Sequence, residues 1–163
     1  MNALSKSFYF LFIVVLMACS EKDEPVSTGD SMMSLAVYKT PTCGCCKKWV
    51  SHLKESGFST KTHDQSSIED VKQKHQIPAN LRSCHTGISQ QGYFFEGHIP
   101  AKYIAQFLAA PPENALGLAV PGMPAGSPGM EMGDRFNPYR IYVVYKDQRT
   151  EVFASVDSME AQK

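Results

Sequence analysis

The first half of the chain alternates short apolar runs with helical stripes of apolar residues. Residues 35–39 (LAVYK) form a run typical of a buried strand. A stripe with the spacing i, i+3, i+4 and i+7 then predicts a helix from Thr42, its expected N-cap, to about Ser56. Alternation over residues 58–64 predicts a second strand, and residues 67–76 predict a second helix. The stripe of the first helix consists of Cys46, Trp49, Val50 and Leu53.

The second half predicts a hairpin, a helix, a loop and a further hairpin. Strand-like runs at residues 84–89 and 93–99 are separated by the turn residues QQG. Pro100 opens a helix that ends at a Pro-Pro pair. Residues 118–133 are rich in Pro, Gly and Met and predict a loop, and residues 139–155 predict the final hairpin.

The order of these elements indicates the fold class. The order βαβα-ββα predicts an α/β protein with a thioredoxin-like fold, here followed by the Pro/Gly/Met loop and an extra C-terminal β-hairpin. In that fold a CxxC motif lies at the N-terminus of the first helix, where Cys43 and Cys46 stand. We therefore expect one folded domain over residues 35–156 and a tail over residues 157–163.

The N-terminus has the pattern of an export signal. Residues 8–18 (FYFLFIVVLMA) are an apolar run too short to span a membrane, which predicts a signal peptide over residues 1–18. The run ends in LMAC, which resembles the lipobox of bacterial lipoproteins, so Cys19 is expected to carry lipid. A free thiol after ordinary cleavage is the alternative. Ser20 suggests outer-membrane sorting, and residues 19–34 are predicted to be a flexible tether.

Charge and cysteine count narrow the function. Sixteen basic and sixteen acidic residues give a formal net charge of zero, which favours no nucleic-acid partner. With Cys19 assigned to lipid, four of the five cysteines remain in an exported, oxidising compartment. Two disulfides, one disulfide with two thiols, and a metal site are all open. The four cysteines are Cys43, Cys45, Cys46 and Cys84.

The cysteines at the predicted helix start provide the candidate chemistry. Backbone N–H groups there favour the thiolate, which is both nucleophile and metal ligand. Cys43 should be exposed and Cys46 buried, the asymmetry of an attacking and a resolving thiol, so these two are the candidate catalytic residues. Cys45 has no role in simple dithiol exchange. Cys84 is expected to approach the motif from the hairpin, and four thiolates together suit Cu(I) or Zn.

Histidines and methionines extend the candidate ligand set. Met123, Met130 and Met132 offer thioethers that suit Cu(I), although they equally suit a packing role in the loop. His85 and His98 lie at the ends of the two hairpin strands and are weaker candidates. The remaining histidines are predicted to lie outside the site: His52, His63 and His75.

Four motifs together resemble a known family. YKTPTCGCCKKW, SCHTG, EGHIPA and GLAVPGMPAGSPGMEM are similar to blocks of the exported copper-resistance proteins of CopG type, long filed as a domain of unknown function, and cover about residues 35–155 in the same order. The resemblance implies a thioredoxin-like fold, a periplasmic location and a cysteine-bound multinuclear copper site with redox activity in copper detoxification. By position, the copper and redox residues would be Cys43, Cys45, Cys46 and Cys84, with His85, His98, Met123 and Met130 as neighbouring candidates.

We therefore predict a periplasm-facing, membrane-anchored lipoprotein of a Gram-negative bacterium that binds Cu(I) in copper resistance, with thiol or copper redox activity. Its expected partners are copper ions and other periplasmic copper-handling or redox proteins, and the lipid is its expected membrane contact. A passive copper carrier, a thiol–disulfide oxidoreductase of thioredoxin or glutaredoxin type without a metal role, and an arsenate-reductase-like enzyme are the alternatives. Cys45 and the methionine loop favour copper, since dithiol exchange requires neither.

Overall fold

The computed structural model describes residues 33–163, and the predictions of a signal peptide, of lipidation at Cys19 and of most of the tether fall outside them. The described chain is a mixed α/β structure with one seven-stranded sheet. No helix over residues 33–163 has the length and apolar character needed to cross a membrane. The elements are β1 Ser34–Lys39, α1 Gly44–Glu55, β2 Ser59–Asp64, α2 Glu69–Lys74, a 3₁₀ turn Ala79–Leu81, β3 His85–Ser89, β4 Phe94–Glu96, α3 Ala101–Ala109, β5 Ala115–Ala119, β6 Tyr139–Tyr145, β7 Thr150–Val156 and a 3₁₀ turn Glu160–Gln162.

The strand order places the start of β3 beside the end of β1. The sheet runs β2-β1-β3-β4-β5-β6-β7, with β1/β2 and β4/β5 parallel and the other neighbours antiparallel. Between β1 and β3, Lys39 pairs with His85, and between β3 and β4, Thr86 pairs with Glu96. The loop that leaves β1 and the segment that enters β3 therefore meet at one edge of the molecule.

Helix α1 begins within the cysteine motif. The prediction that Thr42 caps it is wrong, because Cys43 is the N-cap and its Sγ accepts a hydrogen bond from the backbone N–H of Cys46 at 3.3 Å. The predicted apolar stripe is buried, which confirms that face of the helix. Trp49 is fully buried, and its Nε1 donates to the carbonyl oxygen of Ile99 at 2.8 Å.

Apolar side chains cover both faces of the sheet. Phe94 and Phe95 are neighbours on β4, and their side chains point to opposite faces. Phe95 belongs to the larger core, with Trp49 of α1 and Phe107 of α3. Phe94 belongs to a smaller core with Ile77 of the connector after α2. The cysteine motif thus begins a helix that the larger core holds against the sheet.

One predicted boundary of the fold is wrong. The loop expected over residues 118–133 starts later, because Ala115–Ala119 forms β5 between β4 and β6. Its sequence, ALGLA, is mostly buried and therefore lacks the alternation of a half-exposed strand. A Cβ atom at Gly117 would overlap the carbonyl oxygen of Phe94, so glycine permits the close approach of β5 to β4. The C-terminal hairpin is consequently part of the main sheet.

Helix α2 is shorter than the predicted residues 67–76. It spans Glu69–Lys74, and Ser67 Oγ accepts a hydrogen bond from the N–H of Glu69 at 3.4 Å. Lys72 is buried, although a lysine on a short polar helix predicts a solvated side chain. Its partner is the buried carboxylate of Glu96, which is distant in sequence.

Candidate metal centre

The four cysteines lie together where β1 leads into α1. Their Sγ atoms are all within 4.8 Å of one another. Cys45 Sγ lies 3.5 Å from Cys43 Sγ and 3.9 Å from Cys84 Sγ, and Cys46 Sγ lies 3.4 Å from Cys84 Sγ. The predicted approach of Cys84 to the motif is therefore confirmed, across 38 residues of sequence from Cys46.

Two of these sulfurs are joined and two are thiols. Cys43 and Cys46 form a disulfide, whereas Cys45 and Cys84 are free. Cys43 is half-buried rather than exposed as predicted, because the motif lies against other elements; Cys46 is fully buried. The pair predicted to exchange electrons is thus the pair that is bonded, while its catalytic role stays a prediction.

Two histidines extend the cluster on the side of Cys84. Cys84, His85 and His98 form a second group whose ligand atoms lie within 4.8 Å of one another. Cys84 Sγ is 3.4 Å from His85 Nδ1 and 3.5 Å from His98 Nε2. The two rings meet edge to face with centroids 4.8 Å apart. Cys84 belongs to both groups and therefore links the thiols to the imidazoles.

The orientation of His98 is set by the loop that follows β5. His98 Nδ1 lies 2.8 Å from the carbonyl oxygen of Pro128. A carbonyl oxygen can only accept, so Nδ1 carries the hydrogen and Nε2 directs its lone pair at Cys84. Burial lowers the pKa of His98, although the bond to Pro128 opposes this shift. A neutral imidazole held in this way is suited to bind a metal ion.

His85 is completely buried beneath the cluster. Burial holds its pKa well below the usual value, and the nearby His98 and Lys72 lower it further. Its Nε2 atom is buried and has no hydrogen-bond partner within residues 33–163. Its ring lies against Trp49, with centroids 4.3 Å apart. The neutral ring has one nitrogen lone pair that could bind a metal ion, and ligation by His85 stays a prediction.

Cys84 is protonated in the metal-free protein. Burial raises the pKa of its thiol to about 11, and the neighbouring Cys45 contributes to the shift. Because a metal is bound by the thiolate, binding at Cys84 requires the loss of this proton.

The predicted loop lies directly on the first turn of α1. Gly129 has a φ of +88°, and a Cβ atom there would lie 2.6 Å from the carbonyl oxygen of Cys45 and 2.9 Å from the nitrogen of Trp49. Only glycine allows both this conformation and this contact. Pro128 and Gly129 are not among the site residues predicted from the sequence; the Pro-Gly pair marks a turn, but only the fold shows that this turn lies on the cysteine motif.

The methionines lie at different depths in this loop. The side chains of Met123 and Met132 are 55% and 54% exposed, whereas Met130 is partly buried. The N–H of Met130 donates to the carbonyl oxygen of Ser127 at 2.7 Å, which closes a tight turn next to Gly129. The loop is thus adjacent to the cluster, and ligation by Met123 or Met130 stays a prediction.

The other histidines lie outside both ligand groups. His52 accepts a hydrogen bond at Nε2 from the N–H of Ala101 at 3.0 Å, and burial lowers its pKa. His63 stacks on Tyr38, with ring centroids 4.8 Å apart. Burial also lowers the pKa of His75, the C-cap residue of α2. Their exclusion from the metal site stays a prediction.

The fold and the site together define an α/β protein with a cysteine-rich centre able to bind a soft metal ion. A family described as "Protein of unknown function, DUF411" matches residues 81–130, which include Cys84, His85 and His98. Comparison with curated proteins gives no significant match.

Two solved structures match most of the chain. They are "Copper resistance protein copG- Form 1", 39% identical, and "Copper resistance protein copG- Form 2", 38% identical. Each has a TM-score of 0.71 and covers 76% of this chain, which in turn covers 96% and 97% of theirs. The chain therefore belongs to the CopG family of copper-resistance proteins, and the resemblance of its motifs is confirmed.

Proposed function

We propose that this protein binds Cu(I) in copper resistance through the thiolates of its four clustered cysteines. The observation that carries the proposal is the convergence of four sulfurs, with two neutral imidazoles next to one of them, Cys84. Thiolates select Cu(I) or Zn among available ions, and kinship with copper-resistance proteins favours copper. Several sulfurs at mutual distances near 3.5 Å suit a multinuclear site with bridging thiolates. The proposed ligands are Cys43, Cys45, Cys46 and Cys84, with His85, His98, Met123 and Met130 as candidates to complete the site.

The disulfide links copper capacity to redox state. While Cys43 and Cys46 are joined, neither sulfur is a thiolate. A dithiol donor reduces the bond by exchange: it gives two electrons and two protons to the two cysteines and becomes a disulfide itself. All four sulfurs are then available to copper. The proposed partner for this step is therefore a dithiol protein of the same compartment.

The first half of the sheet supports a thioredoxin-like description. β1 is parallel to β2 and antiparallel to β3, which pairs antiparallel with β4, in the order β2-β1-β3-β4. Helix α1 follows β1 and begins at the CxxC pair, and α3 follows β4. We infer that β1 to α3 is a thioredoxin-like unit, to which β5, β6 and β7 add three strands.

We also propose that the mature protein is a lipoprotein that faces the periplasm from the outer membrane. The support is the apolar run of residues 8–18, which ends in LMA and is followed by Cys19 and Ser20. Mass spectrometry of the N-terminal peptide should find Cys19 lipidated. The Cys19→Ala protein should be absent from the membrane fraction. A Cys19→Ala protein that stays in the membrane fraction would contradict lipid anchoring.

An anaerobic titration tests copper binding. The reduced protein is titrated with Cu(I) against a chromophoric Cu(I) chelator, and reactive thiols are counted before and after. We expect roughly one or more tightly bound copper ions per chain and a matching loss of reactive thiols. Substoichiometric binding, together with intact reduction of a disulfide substrate, would contradict the proposal.

The bonded pair at the start of α1 favours a second candidate, a thiol–disulfide oxidoreductase without a metal role. Cys45→Ser separates the two functions, because dithiol exchange between Cys43 and Cys46 does not need Cys45. In the copper-binding protein this variant should lose copper capacity and keep the disulfide. Unchanged copper binding would show that Cys45 is not a ligand.

A further inference from the structure

A buried ion pair lies behind the segment that enters β3. Lys72 Nζ is 2.5 Å from Glu96 Oε1, and their side chains are 2% and 0% exposed. The buried Thr86 accepts a hydrogen bond from Lys72 Nζ at 3.0 Å and donates one to Glu96 Oε2 at 2.6 Å. Glu96 Oε1 also accepts the backbone N–H of Ser83 at 2.5 Å. The carboxylate therefore joins α2, β3 and β4 at one point.

The two carboxylate oxygens hold the chain on both sides of two candidate ligands. Oε1 of Glu96 binds Ser83, the residue before Cys84, and Oε2 binds Thr86, the residue after His85. Successive side chains of a strand point to opposite faces, so Thr86 faces the carboxylate while His85 faces α1. Glu96 thus fixes the backbone of the ligand segment from the face opposite His85.

Stability alone does not explain this arrangement. Removing two charges from water is expensive, and replacement of a buried ion pair by apolar residues is often neutral or stabilising. Neither Lys72 nor Glu96 belongs to the two ligand groups found within residues 33–163. The pair is explained instead by its effect on the chain. It is hydrogen-bonded to the residues on both sides of Cys84 and His85, and it therefore holds this ligand segment in place.

We propose that Glu96, with Lys72 as its counter-ion, is a positioning residue of the metal site. It sets the location of Cys84, whose sulfur lies 3.4 Å from Cys46 Sγ and 3.5 Å from His98 Nε2. The inference rests on the proposed copper-binding function. Outer-shell hydrogen bonds made directly to metal ligands typically change metal affinity about 10–100-fold when they are removed, and we expect the lower end here because Glu96 bonds Ser83 and Thr86, the residues next to the ligands.

Two double variants of the full chain separate positioning from stability. Lys72→Met with Glu96→Leu removes both charges and every hydrogen bond of the carboxylate. Lys72→Met with Glu96→Gln removes the charges but keeps an oxygen for the N–H of Ser83 and an amide group for Thr86. Cu(I) affinity is measured anaerobically by competition with a chromophoric chelator, and thermal unfolding is followed on the metal-free protein.

The leucine variant should bind Cu(I) about tenfold more weakly or worse, and it should still unfold cooperatively, at a temperature lowered by the loss of a partner for Thr86 and for the N–H of Ser83. The glutamine variant should stay within about threefold of the wild-type affinity, since it retains the hydrogen bonds. Wild-type affinity in the leucine variant, or equal losses in the two variants, would overturn the positioning role.

Two further measurements apply if the leucine variant does not fold or if the wild-type protein binds no Cu(I). If the leucine variant does not unfold cooperatively, Thr86→Val carries the test, with an expected loss in affinity of about threefold. Its control is Ser89→Ala, which removes a buried hydroxyl at the other end of the same strand together with its hydrogen bond from the N–H of Tyr93, and which should leave the Cu(I) affinity unchanged; equal Cu(I) affinities of Thr86→Val and Ser89→Ala would overturn the proposal. The alkylation rate of Cys84 by iodoacetamide, read by mass spectrometry, needs no metal. It should rise severalfold in the leucine variant only. If the wild-type protein binds no Cu(I) while the alkylation rate of Cys84 rises in the leucine variant only, the copper function is refuted and the positioning role is not.

Discussion

Gly129→Ala tests the contact between the loop and the start of α1. The added Cβ atom would lie 2.6 Å from the carbonyl oxygen of Cys45, 2.9 Å from the nitrogen of Trp49 and 3.4 Å from Nδ1 of His98. The first two distances are shorter than real Cβ contacts, and both partners are backbone atoms of the helix that cannot rotate away. The loop or the helix must therefore move.

The expected loss in the free energy of unfolding has two parts. A left-handed conformation costs an alanine about 1–2 kcal/mol relative to glycine. Overpacking a close contact typically costs about 1–3 kcal/mol. Gly129→Ala should therefore lower the free energy of unfolding by roughly 2–5 kcal/mol. If the loop lifts instead, the bond from His98 to Pro128 breaks, and part of the loss becomes a lower affinity for Cu(I).

Gly122→Ala is the matched control. Gly122 lies in the same loop with a φ of +71°, and nothing lies within 4 Å of an added Cβ atom. It should lose only the conformational part, about 1–2 kcal/mol. Urea unfolding of both metal-free variants gives the difference, and a chelator competition gives their Cu(I) affinities. Equal stabilities together with wild-type affinity in Gly129→Ala would refute the contact.

Three further predictions concern other parts of the account. Cu(I) binding should quench the fluorescence of Trp49, the only tryptophan, because its ring lies against His85; unchanged emission at full copper loading would exclude binding beside that ring. Cys84→Ser should bind fewer copper ions than the wild type in an anaerobic titration yet keep the Cys43 disulfide, since Cys84 is a free thiol; an unchanged copper count would exclude it as a ligand. Gly117→Ala should lower the free energy of unfolding by about 2–4 kcal/mol in urea because β5 must separate from β4, and a loss below about 1 kcal/mol would contradict that contact.

Periodicity and topology predict the outline of the site. The stripe that includes Cys46 and Trp49 is set by the spacing of apolar residues along one helix, a local property that sequence displays directly. The approach of Cys84 follows from the order of strands, because β3 pairs with β1. Both expectations are confirmed, and so is membership of the copper-resistance family.

The features that the sequence does not predict depend on partners distant along the chain. Charged residues such as Lys72 and Glu96 are expected at the surface. Each is buried here because the other neutralises its charge, and the sequence does not show that the two are partners. The strand that contains Gly117 is buried between two neighbours and lacks alternation, so it resembles a loop. The cap of α1 is a local exception: it is Cys43 rather than Thr42, because the sulfur of Cys43 faces the N–H of Cys46 three residues along the chain. A residue pattern does not display such contacts.

Copper K-edge X-ray absorption of the purified, reduced protein, loaded anaerobically, identifies the oxidation state of the metal and the atoms that bind it. We expect the edge shape of Cu(I) and a first coordination shell dominated by sulfur, because four cysteine sulfurs converge at the site. A first shell that contains only nitrogen and oxygen would show that the cysteines do not bind the copper.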